Sequence, residues 1–267
     1  MDALRLFNFG TAFLTCVSLA GVANAAPAER CESSASVLES LTDEQALRGT
    51  TRVLERHAVE HPDDRYALDE MLKGGHATPL RWDRVPELVV LMPVMQYQKG
   101  SGTEYRATAE RLSDDEATQL VADLTSALAV LTDDAFQGFS SVRRESPSAG
   151  NVVNVMRPGQ IVVARYNGVR DQLATIGFGG RSTRDSTIRA GSIILDNDFD
   201  RTNDTRRLLR MHELGHALGY NHVLSRPSIM NPKIGPEPTT FDRTAARIAF
   251  QGVEAAGSSP SCLGLGS

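Results

Sequence analysis

One eleven-residue string, HELGHALGYNH over residues 212–222, constrains the fold of this chain more than any other feature. The stretch around it, TRRLLRMHELGHALG, is rich in residues that favour helices. His212 and His216 are four positions apart, and residues at this spacing lie on one face of a helix with Cβ atoms about 5 to 6 Å apart. Both imidazoles can therefore reach one ion at roughly 2.0 to 2.1 Å, which predicts a metal-binding helix here.

The same string supplies a third ligand and a base. Gly219 can adopt the left-handed conformation that ends a helix, so the chain can turn and bring His222 back toward the same ion. Catalytic zinc commonly has three protein ligands and one open position. Glu213 is displaced about 100° from His212 around the helix, so it can act as general base toward a metal-activated water. The alternative, a helix whose histidines are ordinary surface or packed residues, leaves this glutamate and glycine unexplained.

The string resembles the extended zinc-binding motif H-E-x-x-H-x-x-G-x-x-H of the metzincin clan of zinc endopeptidases, in which a methionine-containing turn follows the motif. Residues 228–231 occupy the corresponding position, and Met230 lies eight residues after His222. The resemblance implies that Met230 forms a hydrophobic floor under the ligands. Matrixin-type catalytic domains are the most similar, but Val223 after the third histidine matches no named subfamily, so the resemblance stops at the level of the clan.

The remaining pattern predicts an α+β fold. The apolar run at 87–96 predicts a buried strand in which Pro93 indicates an edge or a bulge. The capping box at 113–116 begins a helix of about five turns. Short strands are predicted at 160–166 and 173–178, and a Gly- and Arg-rich loop at 179–191. The resemblance implies a mixed, twisted sheet with this long backing helix, the active-site helix and a C-terminal helix, preceded by a small helical N-terminal segment.

The N-terminus predicts export. Residues 1–25 combine a short polar start, an apolar stretch and small residues at a cleavage site, which is typical of a signal peptide. The following segment, 26–79, has a helical pattern and is interpreted as a pro-segment or a subdomain. We predict the catalytic domain over 80–267, and a secreted or periplasmic location for the mature protein, with no membrane span in the mature chain.

Cysteines and histidines outside the string offer little further chemistry. Cys31 and Cys262 would remain after cleavage, and a disulfide between them is a hypothesis that competes with two unpaired surface thiols or with Cys31 capping a metal. His57, His61 and His76 have no ligand-like neighbours in the sequence. We therefore expect these three histidines to be solvated surface residues and predict one zinc ion in total.

The net charge and the resemblance together indicate which classes of molecule the protein binds. With 28 Lys and Arg against 33 Asp and Glu, the formal charge of −5 gives no general affinity for nucleic acid. The resemblance implies that 173–178 is an edge strand that pairs with an extended peptide substrate. We expect a monomer that hydrolyses peptide bonds with Glu213 as general base. The alternative is a non-catalytic secreted module that binds zinc for folding or recognition, although the intact Glu213 favours the enzyme.

Overall fold

The computed structural model of the protein describes residues 54–251, which form a nine-stranded mixed sheet packed against several helices. This architecture is compatible with the predicted α+β class. The predicted signal peptide, Cys31 and Cys262 lie outside the described residues. The strands are β1 (Arg81–Trp82), β2 (Glu87–Leu91), β3 (Pro93–Gln96), β4 (Glu104–Arg111), β5 (Val142–Glu145), β6 (Val152–Asn154), β7 (Gln160–Asn167), β8 (Gly177–Arg184) and β9 (Thr187–Asp196). The helices are α1 (Pro62–Leu72), α2 (Asp114–Leu131), α3 (Val169–Leu173), α4 (Asn197–Thr202), α5 (Arg206–Leu218) and α6 (Thr240–Ala246), which a π-helical turn, Arg247–Gln251, follows.

The sheet is mainly parallel, and its antiparallel pairs involve β4 and the β8–β9 hairpin. Strand β7 runs parallel to β2, β3 and β9, whereas β4 pairs antiparallel with β3 and β6. The predicted strand at 87–96 is present as β2 and β3, and its register against β4 shifts between Pro93 and Met95. This irregularity confirms the bulge expected from Pro93, which has no backbone N–H to give to a ladder.

The predicted loop at 179–191 is wrong. These residues belong to an antiparallel hairpin in which β8 pairs with β9 along its length, and the connection is only Asp185 and Ser186. Both connecting residues have positive φ, 51° and 65°, as a two-residue type I′ turn requires. Asp-Ser is a weaker signal for this turn than Asn-Gly or Asp-Gly, which explains why the sequence did not reveal the hairpin.

The predicted strand at 173–178 begins later than expected. Leu173 is the last residue of the short helix α3, and strand β8 starts at Gly177. Within the described part of the chain, β8 pairs only with β9, so its other edge is not covered by a strand. A strand with an uncovered edge therefore exists among the described residues, but it runs from Gly177 to Arg184.

The long helix α2 backs the sheet as predicted. Ser113 accepts a hydrogen bond from the Glu116 backbone N–H, and the Glu116 side chain accepts one from the Ser113 backbone N–H, which confirms the capping box. Its apolar face, including Leu120, Leu124 and Leu128, is fully buried in the main core together with side chains of α5 and α6.

None of the helices in residues 54–251 has the length and apolar character needed to cross a bilayer.

The end of the N-terminal segment packs on the same core. Leu68, Met71 and Leu72 of α1 are at most 2% exposed and belong to the cluster that α2 and α5 form. The prediction that His57 is a solvated residue is wrong, because it is buried and its Nε2 lies 3.5 Å from a carboxylate oxygen of Asp64. The helical register of the segment turns His57 inward, whereas His61 and His76 are exposed as expected.

Candidate metal centre

Helix α5 and the loop after it bring three imidazoles together. His212 and His216 project from consecutive turns of α5, and His222 follows from the loop. The Nε2 atoms of His216 and His222 are 3.1 Å apart, and one potential ligand atom from each histidine lies within 4.8 Å of the others. Two ligands bound at about 2.0 to 2.1 Å in a tetrahedral site are roughly 3.3 Å apart. This histidine triad, His212, His216 and His222, could therefore bind one metal ion.

Backbone carbonyls determine which ring nitrogens of His212 and His216 are available to bind a metal ion. His212 Nδ1 lies 2.7 Å from the carbonyl oxygen of Ile229, and His216 Nδ1 lies 2.9 Å from that of Tyr220. A carbonyl oxygen only accepts hydrogen bonds, so each Nδ1 carries the proton and each neutral ring directs an Nε2 lone pair into the site. A hydrogen bond from the second ring nitrogen is the usual way to orient a metal-binding histidine.

The surroundings of the triad also favour uncharged rings. Burial lowers the pKa of His212 and of His222, and burial with the neighbouring His212 lowers the pKa of His216 to about 3. Neutral imidazoles are the form that binds a metal, because protonated ones have no free lone pair. The triad is therefore a set of ligands that does not have to lose protons at neutral pH.

Glu213 lies in the wall beside the triad. Its side chain is 3% exposed, and its Oε2 has no hydrogen-bond partner among the described residues. Burial raises the pKa of Glu213 to about 8, although a hydrogen bond from the Gly179 backbone N–H opposes this shift. A buried carboxyl with one unsatisfied oxygen is costly to maintain, and a pKa near neutral suits a group that exchanges protons.

The sharp end of α5 depends on Gly219. This residue has φ of 118°, in the left-handed region, and a Cβ there would lie 2.4 Å from the Leu80 carbonyl oxygen. Both the conformation and the close approach exclude larger residues. The Trp82 indole N–H also donates to the Ala217 carbonyl oxygen at 2.9 Å. Strand β1 therefore supports the turn that directs the chain toward His222.

Met230 packs against α5. The side chain is fully buried, and a Cβ at Gly215 of α5 would lie 2.5 Å from Met230 Sδ. The turn itself is held by Asp242 of α6, whose carboxylate accepts hydrogen bonds from the Ile229 backbone N–H and the Ser228 hydroxyl. Because the Ile229 carbonyl orients His212, this turn connects α6 to the histidine triad.

The triad and Glu213 open onto one cavity of about 550 Å³. Its other walls include Tyr97 after β3, Leu173 at the end of α3, Phe178 of β8 and Pro232 after the methionine turn. Among residues 54–251, no lysine, arginine or aspartate lines this cavity. The cavity therefore combines a potential metal site and one acid–base group with a largely uncharged wall along the edge strand.

Sequence reasoning missed several residues that shape the site. A Cβ at Gly179 would lie 2.2 Å from the Glu213 carbonyl oxygen, and a Cβ at Gly177 would lie 3.0 Å from Glu213 Oε1. Glycines inside a strand often mark such close approaches, but Gly179 was assigned to the predicted loop at 179–191. Asp242 lies in a Thr239–Asp242 capping box that the sequence analysis did not use, and Arg181, which contacts the end of α5, had no local signal in the sequence.

No family model matches the chain, and no curated protein matches it at a significant level. The site must therefore be interpreted from its own geometry. The structure brings His212, His216 and His222 together, places Glu213 beside them, and puts Gly219 and Met230 at the end of and beneath the helix.

Proposed function

We propose that the protein is a secreted zinc-dependent endopeptidase of the metzincin type. The observation that supports this proposal is the convergence of three neutral imidazoles beside the unsatisfied Glu213 carboxyl in an open cavity. A purely structural zinc site is usually closed by four protein ligands, whereas a catalytic one has three and an open position. In the part of the chain that the structure describes, no fourth histidine, cysteine or acidic ligand joins the triad.

His212, His216 and His222 would hold the ion. When bound, zinc supplies Lewis-acid chemistry, because it polarises a carbonyl and makes water more acidic. The donor set fits this ion, since imidazole nitrogens in a tetrahedral arrangement are common zinc ligands. Positive charge at the triad would also lower the pKa of the neighbouring Glu213, which burial raises, so the carboxyl would exchange protons near neutral pH.

Glu213 performs the proton transfers in this proposal. Its carboxylate accepts a proton from the water that attacks the scissile carbonyl carbon, and the C–N bond then breaks as the protonated Glu213 donates that proton to the departing amine. The Gly179 N–H and the close packing of β8 hold the carboxylate in one orientation. Burial excludes competing hydrogen bonds from bulk water at this group.

The uncovered edge of β8 is the proposed substrate platform. An extended peptide can pair with such an edge through backbone hydrogen bonds, and this strand lies along the cavity that contains Glu213. Backbone pairing requires an unfolded or extended segment. We therefore propose peptides and flexible protein segments as the substrate class.

The deciding experiment compares the wild type with Glu213→Gln. We expect the purified wild type to hold about one zinc per chain and to cleave a peptide library, and the variant to hold the same zinc with turnover reduced by at least about 10²-fold. Metal analysis and mass spectrometry of the digest measure both properties. Equal cleavage by the variant would contradict the role of Glu213. Stoichiometric zinc with no cleavage by the wild type would instead support the alternative, a non-catalytic secreted module that binds zinc for folding or recognition.

A further inference from the structure

Arg181 of β8 crosses to the end of α5 and contacts the chain on both sides of the turn. Its Nη1 donates to the His216 carbonyl oxygen at 3.0 Å and to the Tyr220 carbonyl oxygen at 3.3 Å. Its Nη2 donates to the Asn221 side-chain oxygen at 2.7 Å. One guanidinium therefore contacts His216, Tyr220 and Asn221 in the segment that leads from the second histidine of the triad to the third.

Two of these acceptors also act on the ligands. The Tyr220 carbonyl accepts the hydrogen bond from His216 Nδ1 that orients this ring, so Arg181 and His216 share one oxygen. Asn221 directly precedes His222, and both its backbone N–H and its side-chain amide donate to the Met71 carbonyl oxygen, at 2.8 and 3.2 Å. Arg181 therefore donates to the side-chain amide oxygen of Asn221, and the amide nitrogen of Asn221 donates to the Met71 carbonyl of α1.

The charge of Arg181 is matched by dipoles alone. Over residues 54–251 no carboxylate lies within ion-pair distance of its guanidinium, although it is largely enclosed between β8 and α5. The carbonyl oxygens at the C-terminus of a helix carry partial negative charge and stabilise a cation there. A planar guanidinium can reach three separate acceptors in fixed directions, which a lysine ammonium on a flexible stem cannot do equally well.

We propose that Arg181 is a positioning residue of the metal centre, which sets the placement of His222 relative to His216 by bridging the Tyr220 carbonyl and the Asn221 amide. This inference rests on the proposed function in that it requires the triad to bind zinc. A residue that only ended the helix would affect folding stability, whereas a positioning residue must also affect how tightly the preformed site binds its ion.

The test measures zinc affinity of the full chain by competition with a chelator. We compare the wild type with Arg181→Met, Arg181→Lys and a control on the same hairpin, Arg184→Met, because Arg184 is 83% exposed. Loss of an outer partner of a metal ligand typically weakens binding by about 10- to 100-fold. We expect such a loss for Arg181→Met, a smaller loss for Arg181→Lys, and none for Arg184→Met.

Two further readouts separate positioning from stability. The visible absorption spectrum of the cobalt-substituted protein should change in the Arg181 variants, because it reports the geometry of the ligands. Asn221→Ala should weaken zinc binding as well, and its effect should be less than additive with Arg181→Lys because the two residues act through one contact. If Arg181→Met does not fold, the Arg181→Lys and Asn221→Ala comparison still decides.

The outcomes distinguish this inference from the proposed function. If the wild type binds no zinc, the proposed function fails. If the wild type binds one zinc and the Arg181→Lys and Asn221→Ala variants bind it with wild-type affinity and an unchanged cobalt spectrum, only the positioning role of Arg181 is overturned.

Discussion

The two halves of helix α5 are held by opposite means. In the first half, Arg210 is 1% exposed and its guanidinium donates to both carboxylate oxygens of Asp200 at 2.7 Å and to Asp123 at 2.7 Å. Asp200 is fully buried and also accepts from Arg165 at 2.8 Å. In the second half, the contacts that the described residues make run instead to backbone carbonyls and through glycines.

The first half of α5 is stabilised by paired charges, whereas the second half carries the side chains of the candidate site. In the first half, the buried charges of Arg210, Asp200 and Asp123 are paired with one another. The second half leaves Glu213 Oε2 without a hydrogen-bond partner among the described residues, and it directs the Nε2 atoms of His212 and His216 into the site. Because unsatisfied buried polar groups cost stability, we interpret the paired charges as the anchor that allows a reactive surface one turn away.

Removing the central charge of the anchor should have the largest effect. Asp200→Asn leaves Arg165 and Arg210 without their shared carboxylate, and breaking a buried ion network in this way costs about 3–5 kcal/mol of unfolding free energy. Chemical denaturation measures this loss. Asp198→Asn is the matched control, because Asp198 is an exposed residue of the same short helix and should change stability by less than about 0.5 kcal/mol. Equal effects of the two substitutions would contradict the anchor.

The next largest loss of unfolding free energy is expected at Met71, which supports the second half of α5. Met71 is fully buried in α1, and its carbonyl holds Asn221. Met71→Ala removes a buried side chain and should lower the unfolding free energy by about 2–5 kcal/mol. Val59→Ala changes a residue that is 82% exposed and should cost less than about 0.5 kcal/mol. If Met71→Ala were as mild as Val59→Ala, the segment before residue 80 would not be part of the core.

A third substitution tests the glycine contact in the second half. Alanine normally favours a helix over glycine by about 1 kcal/mol, but a Cβ at Gly215 would collide with Met230 Sδ at 2.5 Å. Gly215→Ala should therefore destabilise the protein by about 1–3 kcal/mol. In a Met230→Ala background the same change should cost much less, because space has been made for the new methyl group. Additive effects in thermal or urea unfolding would argue against this packing.

The smallest effect concerns the outer edge of the anchor. Glu116 contacts Arg165, and although burial acts to raise the pKa of Glu116, the hydrogen bonds from Arg165 and Ser113 lower it to about 2. A pKa below the unfolded value of about 4.3 gives stability that is present above pH 4.3 and is lost as the pH falls toward 2. Glu116→Gln should therefore destabilise the protein at pH 6 and much less at pH 2.5, whereas Glu104→Gln, an exposed control, should show no such pH dependence.

A substitution of Ser113 tests the same edge without changing a charge. Ser113→Ala removes the hydroxyl that caps α2 and should cost about 1 kcal/mol at neutral pH. A loss that persisted undiminished after Glu116→Gln would show that the two residues of the capping box act independently.

Local features of the fold could be predicted from the sequence because their causes are local. The capping box at 113–116 and the helix after it depend on residues within one turn, and the bulge near Pro93 follows from the missing N–H. The spacing of the three histidines likewise encodes their approach, since helix geometry and Gly219 bring them together.

Features that depend on distant partners could not be predicted. The partners of Asp200 are separated from it by 10 and 35 positions, and nothing near Arg165 or Arg210 in the sequence indicates that they meet. Gly179 of β8 was assigned to a loop because its close contact with Glu213 exists only after the strand lies against α5. Arg181 was missed for the same reason.

X-ray absorption spectroscopy at the zinc edge tests the central claim most directly, because it reports what surrounds the ion in the purified protein. We predict about one zinc per chain with three imidazole nitrogens at roughly 2.0 to 2.1 Å, and loss of one imidazole from the first shell in His222→Ala. Absence of retained zinc, or a first shell that contains no imidazole and does not change in His222→Ala, would contradict the account.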